Sequence, residues 1–442
     1  MQFDLKNLPE HRFGHWLPKD RFLIKKWVNK CMKEARKKKI DEIDQLLIDF
    51  KKVVTSDPYL NALSVSMFNE VPYNTDPDGQ PEVRCFDDML LAINCILKTA
   101  PPWSDAADIS GLIGFPINAV LDWPMATASG FVFFLEPKVN GCLKNILTEW
   151  CKYLQSKDSN SVLHPPSGWL GADGLNALTV KGNQDGLSLA STYTFTQLYV
   201  CPNPDDPNTL GFESWDAFFT REFQDKMRPL AEADIVHACE SAPLQYPVSN
   251  VQLTDHFMGK IQSYSLQNMF DNDPLAKLFV GGTVYQAFLS ALSYHRWVCP
   301  VDGIIYKVTH VPGTYYSKNM FQGFFGGNPD EAAPNNSQPY LASLATRALI
   351  YINADNADIG LMCFIAIGMA EVSSCEVSVK VGQHVKKGEP LGTFHFGGST
   401  HCLVFGPNVK LNWIGLPPKN SERWKDMDNY RVKSGLATVS SS

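Results

Sequence analysis

The sequence predicts an α+β fold in two parts: a helical N-terminal domain over residues 1–200 and a β-rich C-terminal domain over residues 201–442. Three observations predict it. Apolar residues before Thr179 recur at helical spacing. After Ala238 the chain breaks into short β-prone runs bounded by Gly and Pro. Between them, Cys201-Pro-Asn-Pro-Asp-Asp-Pro207 reads as a turn-rich linker.

In chain order, Phe22, Ile24, Trp27, Val28 and Cys31 mark one apolar helical face, and Ile43, Leu46, Leu47 and Phe50 a second. The basic run Arg36–Lys39 is followed at once by Asp41, Glu42 and Asp44, the pattern of a solvated helix end. Further helices are expected over Cys85–Lys98 and Lys144–Leu154. The most apolar stretch, Gly111–Leu135, is interrupted by Pro116, Asp122 and Pro124. It therefore falls short of the roughly 18–20 uninterrupted apolar residues that a bilayer requires and reads as a buried helical hairpin. A short helix is expected over Ser214–Phe223, with Ser214 as its cap. Strands are expected at Gly303–Val308, Leu361–Ile367, Cys375–Val381 and Cys402–Phe405, with Gly382 and Gly388 near the ends of a tight β-connection. Met320–Pro339, rich in Gly, Asn and Pro, reads as a mobile surface loop.

Composition narrows the function classes. A net charge of −7 argues against a nucleic-acid partner, which would call for a concentrated basic face. The eleven cysteines are dispersed singly, with no C-x-x-C pair, as buried thiols are in a reducing, cytoplasmic setting. Met1–Pro18 lacks the apolar core of a secretory signal, and no stable membrane anchor is expected. There is no phosphate-binding loop, dinucleotide fingerprint or H-E-x-x-H, so neither a nucleotide nor a metal is expected.

Four segments carry the chemistry. They are Gly211-Phe-Glu-Ser-Trp-Asp-Ala-Phe-Phe-Thr-Arg-Glu-Phe223 with Arg228-Pro229; Ser293-Tyr-His-Arg-Trp297 before Pro300-Val-Asp-Gly303; Val311-Pro-Gly-Thr-Tyr-Tyr316; and Leu391-Gly-Thr-Phe-His-Phe-Gly-Gly-Ser-Thr400. In this order they resemble the signature of the phosphatidylserine decarboxylase superfamily over about residues 205–410. Pieces such as His237-Ala-Cys-Glu-Ser241, Gly168-Trp-Leu170 and Phe394-His-Phe-Gly-Gly398 are similar to its fungal soluble branch, which includes the tryptophan decarboxylase of psilocybin biosynthesis.

The resemblance implies a β-rich catalytic domain and a pyruvoyl-dependent decarboxylase of a free, aromatic or other, amino acid. The chain would process itself at Gly398-Ser399 into pieces of 398 and 44 residues and act through a Schiff base. Pyridoxal phosphate and metal are not required, the partner is a small amino-acid-like substrate, and a homo-oligomer is left open. The chemistry fits the residues. Ser399 Oγ can attack the Gly398 carbonyl, and glycine, lacking Cβ, tolerates the backbone geometry that attack needs. β-Elimination then leaves dehydroalanine, which hydrolyses to a pyruvoyl group that serves as an electron sink.

His295 matches the superfamily histidine implicated in decarboxylation, with proton delivery as its role. Arg296 beside it could hold a carboxylate or sit in a structural ion pair. One position departs from the family pattern. The second histidine, three residues after the first, is Val298 here, while the aspartate position of the processing triad is Glu240. His295, His395 and His401 are left as candidates to assist Ser399, and position 401 shares a strand face with 399. The alternative is an unprocessed chain in which Ser399, His295 and Glu240 form a hydrolase or acyl/aminoacyl-transferase site.

Overall fold

The computed structural model describes residues 22–71, 82–105, 114–186, 192–255, 257–259, 262–320, 337–371, 374–395, 399–425 and 427–440. Their helices lie mainly toward the N-terminus and their antiparallel sheets toward the C-terminus, so the class is α+β as expected. The chain forms two compact units: one holds the described residues of 1–162 and 313–337, the other those of 163–312 and 338–442. The boundary expected at 200/201 does not coincide with this division. Residues 163–200 are tied to the second unit, with Tyr199 bridging Phe223 and the Gly182 carbonyl accepting from Arg228 at 2.8 Å.

The helical unit contains α1 (Phe22–Ala35), α2 (Gln45–Ser56), α3 (Pro58–Glu70), α4 (Phe86–Ile96), α5 (Pro116–Met125), α6 (Ala128–Leu135) and α7 (Pro137–Leu154). Short polar side chains start several of them. Asp44 accepts from Leu46 N–H, Asp57 from Tyr59 N–H, and Thr127 from Gly130 N–H. The expected hairpin is α5 and α6; its first residues, 111–113, lie outside the described ones. Helix α7 begins seven residues earlier than Lys144, because Pro137 is pre-organised for a first turn. Phe133 anchors the core. Its ring centroid lies 5.9 Å from that of Phe86 and 5.2 Å from that of Phe134, and each buried ring contributes about 1.5–3 kcal/mol. Thr314 to Lys318 are buried in this unit, where Tyr315 N–H donates to Asn140 Oδ1 at 3.1 Å.

The second unit carries α8 (Ala172–Asn183), α9 (Trp215–Phe219) and α10 (Gln338–Leu344). Ser214 caps α9 through Ala217 N–H, and the helix ends at Phe219, four residues before the expected end. An eight-stranded antiparallel sheet includes β1 (Ala242–Pro243), β2 (Thr283–Leu289), β4 (Gly303–Val311), β5 (Arg347–Ala354), β6 (Leu361–Gly368), β8 (His384–Val385) and β10 (Ser399–Phe405). Their order is β8-β4-β5-β6-β10-β2-β1, with Val248–Ser249 also on β2. A three-stranded sheet, β7-β9-β3, comprises β3 (Arg296–Val298), β7 (Ser374–Val377) and β9 (Pro390–His395). Trp297 of β3 joins the two sheets, stacking at 5.2 Å on Phe364 of β6. The strand expected over Cys375–Val381 ends at Val377. Gly382 and Gly388 that follow both have φ of +84°, a left-handed conformation open to glycine without strain.

Two expectations fall partly or wholly outside the described residues: the N-terminal Met1–Pro18, and most of the loop expected over Met320–Pro339. The last part of that loop is corrected. Gln338 and Pro339 open α10 and are buried.

Candidate active site

Strand β10 lies between β6 and β2, and all seven of its residues are buried. Ser399 stands opposite Gly368 and Leu289, His401 opposite Ala366 and Ala287. Ser399 and His401 thus share one face, about 7 Å apart along the strand, beside mostly small neighbours. Ser399 Oγ is buried and has no hydrogen-bond partner among the described residues. Thr400, on the opposite face, is held at its hydroxyl. It lies 2.7 Å from Gln338 Oε1 and 2.9 Å from the Ala287 carbonyl, and it accepts from Gln286 Nε2 at 3.3 Å. Gly398 lies outside the described residues.

A turn closed by Ser293 N–H to the Ser290 carbonyl leads from Leu289, across from Ser399, to His295. His295 is fully buried, and its carbonyl accepts from Phe394 N–H at 2.9 Å. Its imidazole lies flat on Phe219 at the end of α9, with centroids 4.0 Å apart. Arg296 points elsewhere, donating from Nε to the Thr220 carbonyl at 2.7 Å and pairing with Glu222 at 3.2 Å.

Glu240 is buried, but its carboxylate serves Arg228, which binds both oxygens, and accepts from Val432 N–H at 2.9 Å. The partners that the structure shows for Glu240 are thus Arg228 and Val432 N–H, where the sequence reading set it near His295 and Ser399. A buried carboxylate takes the strongest donor within reach, and a bidentate guanidinium is that donor. By strand pairing, Ser241 stands two strands from Ser399, about 10 Å at the usual spacing. Val298 is buried in β3, with its N–H on the Ala238 carbonyl at 2.9 Å.

The remaining histidines differ sharply. His395 lies between two carboxylates, with Nδ1 2.8 Å from Asp216 and Nε2 2.7 Å from Glu376. Burial alone would lower its pKa, but the two carboxylates outweigh it and raise the pKa above the ordinary value. His401 is stacked on Phe364 at 5.7 Å, and burial depresses its pKa to about 3. His237, whose Nδ1 lies 3.3 Å from Tyr285 Oη, is depressed to about 3, first by burial and then by His401.

The structure thus brings Ser399 and His401 onto one strand face, while Glu240 is committed to Arg228 and His395 to its two carboxylates. The sequence reading missed the roles of Arg228, Phe219, Asp216 and Glu376. Arg228, Asp216 and Phe219 stood in the boxed segments, but nothing in local spacing signals their partners. Among the described residues no group of three or more His, Cys, Asp or Glu side chains is placed to hold a metal ion. None of the helices there is long and apolar enough to cross a membrane.

Comparisons with known proteins show the family of the chain. A phosphatidylserine decarboxylase family model matches residues 215–424, spanning α9 through β10, and a second model of that description matches residues 44–178. The chain is 45% identical over 312 residues to decarboxylase iboD of Amanita muscaria, covering 68% of this chain and 86% of that protein. It is 34% identical over 381 residues to the L-tryptophan decarboxylase of Psilocybe cubensis, covering 81% and 80%. It is 28% identical over 211 residues to phosphatidylserine decarboxylase proenzyme 3 of Schizosaccharomyces pombe, covering 47% and 20%. The chain belongs to the phosphatidylserine decarboxylase family of carboxy-lyases.

Proposed function

We propose that this chain is a pyruvoyl-dependent decarboxylase of a free amino acid, aromatic or similar in kind, that processes itself at Gly398-Ser399. The observation that carries the reading is Ser399 itself, a buried hydroxyl free of protein partners among the described residues at the head of a strand fixed on both sides. A hydroxyl hydrogen-bonded elsewhere would have to break that bond before attacking; this one does not. The nearby backbone also supports a constrained site, because Ala370, two residues beyond Gly368, has φ of +53°, costly for a residue with a Cβ.

In the proposed processing, Ser399 Oγ gives up its proton and attacks the Gly398 carbonyl carbon. The Gly398–Ser399 C–N bond breaks, the nitrogen takes a proton, and an ester links Gly398 to Oγ. Loss of the Ser399 α-proton expels the Gly398 carboxylate by breaking the Cβ–Oγ bond, and water converts the resulting dehydroalanine to a pyruvoyl end with release of ammonia. The pyruvoyl ketone supplies the electron sink for loss of CO₂. His401, on the strand face of Ser399, and His295, reached by the turn after Leu289, are assigned the proton transfers. His295, rigid against Phe219, is assigned the proton delivered to the decarboxylated carbon.

The small-molecule substrate class is supported by the L-tryptophan decarboxylases among the relatives. The hydrolase or acyl-transfer alternative needs Glu240 to orient His295, and Glu240 serves Arg228 instead. The test is CO₂ release from a panel of free amino acids and from phosphatidylserine by the purified protein. Turnover of a free amino acid that disappears in Ser399→Ala supports the reading. Turnover of phosphatidylserine alone contradicts the substrate class.

A further inference from the structure

We propose that His395 is a positioning residue for self-processing, its imidazolium fastening the strand that leads into the Gly398-Ser399 bond to the helix that braces His295. The inference rests on the processing reading above. His395 closes β9, three residues before Gly398. A neutral imidazole has one N–H to donate. Two carboxylates, Asp216 at 2.8 Å and Glu376 at 2.7 Å, are both satisfied only by the protonated ring. Such a ring has no lone pair to offer Ser399, so its role is to hold the chain and not to accept the serine proton.

What it holds is specific. Asp216 lies in the first turn of α9, and the last residue of that helix, Phe219, stacks on His295. One short helix therefore grips the segment before the scissile bond at one end and the proposed proton donor at the other. Strand β9 adds a second tie through Phe394 N–H to the His295 carbonyl. Among the described residues, the charged and titratable groups on the packed elements include Asp216 from α9, Glu376 and Cys375 from β7, and His295 and Arg296 beside β9. Of these, Arg296 is turned toward Glu222 and the Thr220 carbonyl, and Asp216 and Glu376 both favour the charged state of His395.

This role has a pH signature opposite to that of a base. The raised pKa of His395 means that its charge persists to higher pH than that of an ordinary imidazole and is lost as pH rises through that value. Processing should therefore slow toward alkaline pH, whereas a histidine acting as base would gain activity as it deprotonates. The experiment is pulse synthesis of the full chain followed by a chase at a series of pH values from weakly acidic to alkaline, reading formation of the 44-residue chain.

Wild type is expected to slow on the alkaline side. His395→Gln is expected to be at least about tenfold slower, without the alkaline fall, and His395→Lys to restore rate and extend it to higher pH. Glu376→Gln, altered at a carboxylate whose side chain is 67% exposed and so expected to fold, should move the fall to lower pH. Wild-type rate and profile in His395→Gln overturn the inference, as does an unmoved fall in Glu376→Gln. A wild-type chain that never yields the 44-residue piece overturns the processing reading and this inference with it; cleavage indifferent to His395 overturns the inference alone.

Discussion

Phe219 and His295 lie face to face, their planes 21° apart and their centroids 4.0 Å apart, although 76 residues separate them. The contact fixes the plane of a buried imidazole whose proposed task is proton delivery. Replacing Phe219 with Leu keeps apolar volume but removes the flat support. The expected result is a fall in kcat of about 10- to 100-fold with KM changed less, since misplacement of a catalytic group is costly. Steady-state kinetics of the processed enzyme check it, and an unchanged kcat would remove Phe219 from the account.

The Arg228–Glu240 pair is assigned a structural role. Removing one partner strands a buried charge, so Arg228→Met should destabilise the protein by about 3–5 kcal/mol, while replacing both by apolar residues of similar volume costs less. Denaturant unfolding of the single and double variants measures this. A double variant no more stable than Arg228→Met would contradict it.

Buried His237 and His401 predict acid sensitivity. Their folded pKa values, about 3, lie below the ordinary value, so the unfolded chain binds more protons between about pH 6.5 and 3. Their contribution is fully present above that window and is lost as pH falls through it. Melting temperatures recorded across this range should fall for wild type and fall less steeply for His401→Gln. Equal slopes would show that His401 is already protonated in the folded protein.

Val298 gives a further test. Placing histidine there restores the family residue type but not its setting, because Glu240 is held by Arg228. Val298→His is expected to cost about 1–3 kcal/mol as a poorly partnered buried imidazole. It should quicken processing by less than the roughly 10²–10⁴-fold of a well-oriented base. Unfolding and a cleavage time course read both effects, and a full base-sized gain would show that Glu240 can leave Arg228.

Much of this organisation was legible in the sequence where the determinant is local. Helical spacing announced α2 and α4, Ser214 announced the start of α9, and Gly382 and Gly388 announced the turns they make. Strand alternation put Ser399 and His401 on one face, as the register with β2 and β6 shows. Determinants distant in the chain were not legible. Asp216 and His395 are 179 residues apart, and Val432 reaches Glu240 across 192. Helix α10 was hidden because the Gly- and Asn-rich composition before it runs directly into its first turn.

The central claim is that Ser399 is consumed to make the prosthetic group. Intact mass measurement of the purified protein under denaturing conditions tests it most directly. The account predicts chains of 398 and 44 residues, the smaller beginning with a pyruvoyl end that reacts with a carbonyl reagent, and a single uncleaved chain in Ser399→Ala. A wild-type protein that is active yet remains one chain of 442 residues would contradict it.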